Sequence, residues 1–340
     1  MSPTNTETNT DSPGVHPAEA SELTIAVLSG GASAEVDVSR SSAKAVVAAL
    51  QQINSYRVIS IELDEDAPQS LISLKPDVVF PALHGPPGED GTVQGLLEML
   101  ALPYVGSEVQ PSAFAMDKAV AKALFRRAGL PVAEDRVYRA DQSIADLGAA
   151  AFAADIESTL GPNVVIKPMQ QGSALGVTPL PEGGDLIGAL RDAFALGDQV
   201  LVEPFVVGRE ITVGVLDLHN QAPVPHPVIE IMTPENQWYD YTNRYAEGAS
   251  SHLVPAPIDE GIAAELKRIA VKAHEVLGLR DLSRADFILP EQGAPVLLEV
   301  NTLPGMTPTS LYPDGAKALG LDFPQLLSAL VESAANRVNL

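Results

Sequence analysis

The chain has no cysteine among its 340 residues, which excludes a disulfide framework, a thiolate metal site and a cysteine nucleophile. Cytoplasm is the expected compartment. Basic residues are scarce: 21 Lys and Arg stand against 44 Asp and Glu, and the formal net charge is −23. That balance argues against a nucleic-acid or anionic-membrane surface. It also makes each local lysine informative, because a bound polyphosphate must be held against an unfavourable global field. No apolar run approaches the length of a membrane span. The opening MSPTNTETNTDSPGVHPAEAS, residues 1–21, has no Lys, no Arg and no apolar core, so it fails as a signal peptide and reads as a disordered tail. What the chain has is length and apolarity: at 46% hydrophobic and 19% charged, it can build two or three domains with substantial cores.

LTIAVLSGG (Leu23 to Gly31) is an apolar run ending in glycines, and SAKAVVAAL follows with helical spacing. YRVISIEL and DVVFPALHG read as further buried strands, so residues 22 to about 117 form a parallel α/β layer. In MDKAVAKALFRRAGLP the period becomes helical, with a basic last turn and then Gly129 and Pro131 as stop signals. NVVIKPMQQGSALGVTPL predicts a strand, a turn and a strand; a helix and VLVEPFVVGREITVGVL follow. The aperiodic stretch 233–258 is polar and aromatic, and a loop of that length inside a domain is commonly a lid. A helix over 259–277, a hairpin and a C-terminal helix complete the chain.

The hairpin RADFILPEQGAPVLLEVNTLPG raises the sharpest question, since it sets Arg284, Asp286, Glu299 and Asn301 among apolar residues. A turn centred on Gln292 and Gly293 brings position 286 opposite 299 and 284 opposite 301. The four polar side chains then share one face, while Phe287 and Val300 point to the other. Two facing carboxylates repel unless a cation sits between them. Oxygen donors without His or Cys suit Mg²⁺ or Mn²⁺ shared with phosphate oxygens. Solvent-facing residues on a half-exposed strand are the plainer alternative.

A metal shared with a polyphosphate predicts nearby lysines. Lys167 closes the apolar strand NVVIK and Lys118 opens a helix in MDK; taken singly, each also reads as a surface charge. The turn QQGSALGV can fold the Gly172 and Ser173 amides over a phosphate, although it lacks the spacing of a P-loop. Glu203 ends VLVE before Pro204, Phe205 and Val206, a placement suited to a hinge where ribose hydroxyls donate to a carboxylate. Glu210, in GREITVGV, raises the same question.

The segments HGPPGEDGTVQGLLEMLALPYVG, SAFAMDK, VVIKPMQQGSALGV, YDYTNRY and RADFILPEQGAPVLLEVNTLPGMTPTSL, in order over residues 22 to 340, resemble the D-alanine–D-alanine ligases of the ATP-grasp superfamily. The resemblance implies an α/β and α+β chain with a three-domain ATP-grasp fold. An N-terminal parallel α/β domain (22–117) would hold the first substrate. A central domain (118–210) and a C-terminal domain (211–340) would follow, the latter with the metal site and a lid loop at about 235–253. It further implies ATP between the last two domains, two Mg²⁺ or Mn²⁺ ions, a homodimer, and formation of D-alanyl-D-alanine through an acyl phosphate for peptidoglycan synthesis.

By the same resemblance Lys118, Lys167 and Arg244 match groups that bind ATP, as do Glu203, Phe205, Val206 and Glu210. Asp286, Glu299 and Asn301 match the metal ligands. Arg284 and the Gly305 amide match the oxyanion donors. Glu35 matches the acid that holds the first substrate's ammonium, with Ser173 and Tyr245 hydrogen-bonded nearby. His84 lies beside that substrate, and Ser310 and Leu311 match the site of the second substrate's carboxylate. Two positions depart from the pattern: Arg244 stands where the family usually has lysine, and Ala174 replaces the second serine of a Gly-Ser-Ser turn. Tyr245 goes with a dipeptide product rather than a depsipeptide. An ATP-grasp ligase joining other amino acids is the nearest alternative. A nicotinamide-type reading of GGASAE fails on the G-x-G-x-x-G spacing.

Overall fold

The computed structural model describes residues 22–139, 149–234 and 250–337. Among these residues there are three sheets. In the first, β1 (Leu23–Ser29) lies between β2 (Tyr56–Glu62) and β3 (Val78–Pro81), and both pairings are parallel. Alternate residues of β1 feed opposite cores: Ile25 and Val27 face one side, Ala26 and Leu28 the other. A strand buried on both faces reads as a continuous apolar run, which is why LTIAVLS carries no alternation. Helix α1 (Val36–Leu50) covers one side through Ala43, Val46 and Leu50; α2 (Ala67–Leu74) and α3 (Thr92–Met99) cover the other through Leu71, Val93 and Leu97.

Helices α4 (Val109–Met116) and α5 (Lys118–Arg127) follow; Asp117 caps α5 by accepting the Val120 N–H at 3.0 Å. The second sheet runs β4 (Arg136–Arg139), β7 (Gln199–Pro204), β5 (Val164–Pro168), β6 (Thr178–Leu180), all antiparallel. Helices α6 (Ala149–Leu160) and α7 (Leu186–Phe194) pack on one face, burying Ile156 and Leu190 against Val164, Ile166, Val200 and Val202. Period-two alternation turns Val165, Lys167 and Glu203 to the opposite face.

The third sheet is centred on β8 (Arg209–Asp217) and β12 (Asp281–Leu289), with β13 (Val296–Asn301) beyond β12. On its far side lie β9 (Val224–Pro225), β10 (Ile229–Met232) and β11 (Ser251–Leu253). Helix α8 (Glu260–Leu277) is capped by Asp259 at one end and by Gly278, with φ 72°, at the other. It buries Leu266, Ile269 and Ala273 against Ile211, Val213, Ala285, Phe287 and Val300. Helix α5 contributes Ala121 and Phe125 to this same core. The last helices, α9 (Leu311–Ala318) and α10 (Phe323–Ala335), return to the first sheet, where Leu326, Leu330 and Val331 join Ile25 and Val27. Among the described residues no helix is long and apolar enough to cross a membrane.

Asp281 fastens these layers together. It is fully buried in the left-handed region at φ 63°. Its carboxylate accepts from the Gly106 N–H at 2.7 Å, from the Ser333 hydroxyl at 3.2 Å and from the Arg337 guanidinium.

Candidate active site

The face of the second sheet opposite α6 and α7 and the face of the third sheet opposite α8 look into a cleft of about 480 Å³, a volume suited to a small organic ligand. Apolar walls come from Val165, Phe205, Val206, Met232, Ile288 and Leu298; charge comes from Lys118, Lys167, Glu203, Glu210 and Glu299. Flat apolar surface beside two lysines suits a ligand with an apolar body and an anionic tail.

The hairpin has the expected register where it matters: Arg284 pairs with Asn301, and Asp286 with Glu299. Toward the turn it shifts, because Phe287 pairs with Leu297 and leaves Leu298 as an extra residue. This bulge lets Leu297 and Val300 both enter the core while Leu298 and Glu299 both line the cleft. Neighbouring β8 places Thr212 opposite Asp286, and its hydroxyl donates to Asp286 Oδ1 at 2.7 Å. Arg284 forms a fork on Asp286, Nε to Oδ1 and Nη2 to Oδ2, both 2.8 Å, and Asn301 Nδ2 donates to Oδ2 at 3.1 Å.

Among the described residues no group of three or more His, Cys, Asp or Glu side chains gathers as a metal cluster. The candidate set is two carboxylates and an amide, whose oxygens have the chemistry of a hard-cation site. Asn301 presents its nitrogen to Asp286; a half-turn of the amide presents the oxygen.

Lys118 occupies the first turn of α5, where a cation opposes the helix dipole. Its ammonium donates to the Gln171 carbonyl at 2.7 Å and lies 3.7 Å from Glu299 Oε2. Lys167 pairs with Glu203 Oε2, and Lys122 pairs with Glu203 Oε1. Burial works against the charge on both Lys167 and Glu203. Their mutual attraction more than offsets it, holding the lysine above its ordinary value and the acid, which Lys122 also serves, below. Lys122 is absent from the expected site, yet the signal was present. Positions 118, 121, 122 and 125 are the buried stripe of α5, so Lys122 sits where the helical period demands an apolar residue.

A second polar cluster lies at the N-terminal end. Glu35, just before α1, is 4% exposed and accepts a hydrogen bond from the Ser173 hydroxyl. Gly85 and Gly172 make room for it: a Cβ on either would stand 2.8 or 2.7 Å from Glu35 Oε2. Ser173 and Ala174 both hold positive φ, at 48° and 57°, so the QQGSALG turn reaches from the cleft wall to Glu35.

His84 bonds Ser42 Oγ through Nε2 at 3.0 Å. Burial lowers its pKa to about 4, and the charge of Arg284 adds to the effect. Glu89, also missed from the sequence, accepts the Gly85 N–H at 2.7 Å. Burial, reinforced by the Glu35 charge, pushes it up to about 8. The sequence marks it only as one of two adjacent acids in the glycine- and proline-rich HGPPGEDG.

At the start of α9, Ser310 Oγ accepts the Thr307 N–H at 3.1 Å, and a Cβ on Gly305 would lie 3.2 Å from it. The Leu311 side chain is buried with Ile229 and Ile231. Arg244, Tyr245 and residues 235–249 of the expected lid lie outside the described residues; the end of that segment, Ser251–Leu253, forms β11.

Two antiparallel sheets facing each other across a lysine- and carboxylate-lined cleft, beside a parallel α/β layer, define the ATP-grasp class. Family models described as D-ala D-ala ligase N-terminus and D-ala D-ala ligase C-terminus match residues 65–107 and 124–332. The chain therefore belongs to the D-alanine–D-alanine ligase family. A D-alanine–D-alanine ligase of Halalkalibacterium halodurans is 45% identical over 310 residues, covering 91% of this chain and 98% of that one. Among solved structures, the D-alanine–D-alanine ligase from Bacillus anthracis complexed with ATP superposes with a TM-score of 0.77 at 28% identity, covering 93% and 98% of the two chains. The VanG D-Ala:D-Ser ligase from Enterococcus faecalis does so with a TM-score of 0.77 at 31% identity, covering 92% and 99%.

Proposed function

We infer that this protein joins two D-alanines into D-alanyl-D-alanine, converting ATP to ADP and phosphate, and that it does so in the cytoplasm for peptidoglycan synthesis. The observation that carries this reading is the hairpin register, which aligns Arg284, Asp286, Glu299 and Asn301 on the cleft side beside Lys118. The names of the relatives supply the substrate.

In this reading the nucleotide's base lies against Phe205, Val206 and Leu298, Glu203 and Glu210 serve the nucleoside, and Lys118, Lys167 and Arg244 serve the phosphates. Asp286, Glu299 and Asn301 would hold Mg²⁺ or Mn²⁺, which neutralises phosphate charge when bound. Glu35, supported by Ser173 and Tyr245, takes the ammonium of the first D-alanine beside neutral His84. The carboxylate of that D-alanine attacks the γ-phosphorus, breaking the bond to the bridging oxygen and releasing ADP.

The second D-alanine rests its carboxylate at Ser310 and Leu311, where the N-terminus of α9 favours an anion. Its neutral amine attacks the acyl phosphate, and the Arg284 guanidinium and Gly305 N–H hold the resulting oxyanion. Collapse forms the amide and expels phosphate, which carries away the proton lost by the amine. Holding the two substrates in line converts a bimolecular encounter into a nearly unimolecular step.

The test is phosphate release from ATP that requires D-alanine and not L-alanine, with D-serine and D-lactate as competing second substrates. Glu299→Gln abolishes turnover while circular dichroism and melting remain those of the wild type. Near-normal turnover in that variant removes the metal assignment.

A further inference from the structure

The Glu203 carboxylate is shared by two lysines that differ in their surroundings. Lys167 holds Oε2 from the cleft side, keeps 14% of its side chain exposed and lines the cavity. Lys122 holds Oε1 from behind, is 1% exposed and takes no part in the cavity wall. Asp135 lies 3.8 Å behind Lys122 and is itself paired with Arg126. One cation can therefore turn toward the cleft, and the other is enclosed by α5 and β7.

An anion entering the cleft draws the exposed ammonium. If Lys167 were the sole partner of Glu203, its departure would leave a carboxylate buried without a counter-charge, and that penalty would oppose nucleotide binding. A second lysine fixed on the other oxygen removes the penalty and frees Oε2 to accept a donor from the nucleoside. We propose that Lys122 is a positioning residue: a fixed counter-charge on Glu203 that releases the Lys167 ammonium to the phosphates of ATP. The proposal rests on the reading of the cleft as the ATP site. It assigns Lys122 no contact with the nucleotide.

Kinetic constants for Lys122→Met, Glu203→Gln and the double variant test this. Lys122→Met raises the KM for ATP on the order of tenfold or more, leaves the KM for D-alanine within about twofold, and lowers kcat at saturating ATP by less than the KM rises. Lys122→Arg, which keeps the charge, recovers most of the loss. In the Glu203→Gln background, adding Lys122→Met gives no further rise in the KM for ATP. A further tenfold rise there overturns the proposal even if the single Lys122→Met variant fails to fold.

A crystal structure with a non-hydrolysable ATP analogue supplies a direct measurement. The Lys122 contact to Glu203 is retained and Lys167 Nζ has left the carboxylate. Lys167 still on Glu203 with the phosphates held elsewhere overturns the proposal. Wild-type protein that neither binds ATP nor releases phosphate with D-alanine overturns the functional reading and this inference together. Wild-type activity lost in Lys167→Ala, with an unchanged KM for ATP in Lys122→Met, overturns this inference alone.

Discussion

Glu89 gives the most quantitative prediction. Its carboxyl is buried against Glu35, and its pKa is pushed from the ordinary 4.5 up to about 8. Burial is the largest cause and the Glu35 charge the next; the backbones of Gly85 and Leu303 and the charge of Arg284 pull the other way. Between those two values the folded protein holds a proton that the unfolded chain has lost. The stabilisation is thus complete below pH 4.5 and is lost as pH rises toward 8. Each pH unit within the window is worth about 1.4 kcal/mol, so the whole span amounts to on the order of 5 kcal/mol.

Glu89→Gln keeps the shape and the acceptor for the Gly85 N–H but cannot ionise. Urea unfolding of both proteins from pH 5 to 9, followed by circular dichroism, isolates this group and its coupling to Glu35, because more distant titrations cancel in the difference. Near pH 5 the two proteins have similar stability. By pH 8 to 9 the variant is the more stable by several kcal/mol. A difference that stays constant across the range refutes the account.

Other perturbations probe the frame around the site. Asp281→Asn keeps a residue tolerant of positive φ but removes the charge that Arg337 and the Gly106 N–H share, and should lower unfolding free energy by about 3 kcal/mol. A loss under about 1 kcal/mol would show that the clamp is solvated. Gly214→Ala drives a Cβ to 2.4 Å from Nδ1 of fully buried His226, whose ring packs against Tyr312 with centroids 4.6 Å apart and planes tilted by 44°. Melting should report a destabilisation of about 1–3 kcal/mol, partly recovered by combining it with His226→Ala; full additivity of the two substitutions would contradict the steric explanation.

The sequence revealed those parts of the molecule governed by local periodicity. LTIAVLS and DVVFP announced buried parallel strands because Ile25–Leu28 and Val78–Pro81 are unbroken apolar runs. The hairpin register was legible because a slip of one residue would have turned Val300 outward and Glu299 inward. The extra residue Leu298 was not legible, since either spacing satisfies an apolar–polar pattern near a turn. Lys167 stood out as a charge ending an apolar strand, but its partner Glu203 lies on the neighbouring strand, 36 positions away in this numbering. The clamp on Asp281 joins positions separated by 175 residues, and no local pattern encodes that meeting. Glu89 lies in a loop with no period to mark it, whereas Lys122 breaks the apolar stripe of α5 and is legible for that reason.

The irregularity at Leu298 ties the length of one strand to the chemistry beside it. Deleting a single residue there would restore strict alternation, forcing a choice between exposing Leu297 to the ligand and swinging Glu299 away from Asp286. Substitutions at Leu298 that preserve its bulk should be tolerated, whereas losing or gaining one position would cost either the hydrophobic layer or the acid pair. In this hairpin one spacing serves both the core and the cleft, and the chain cannot alter it for one without disturbing the other.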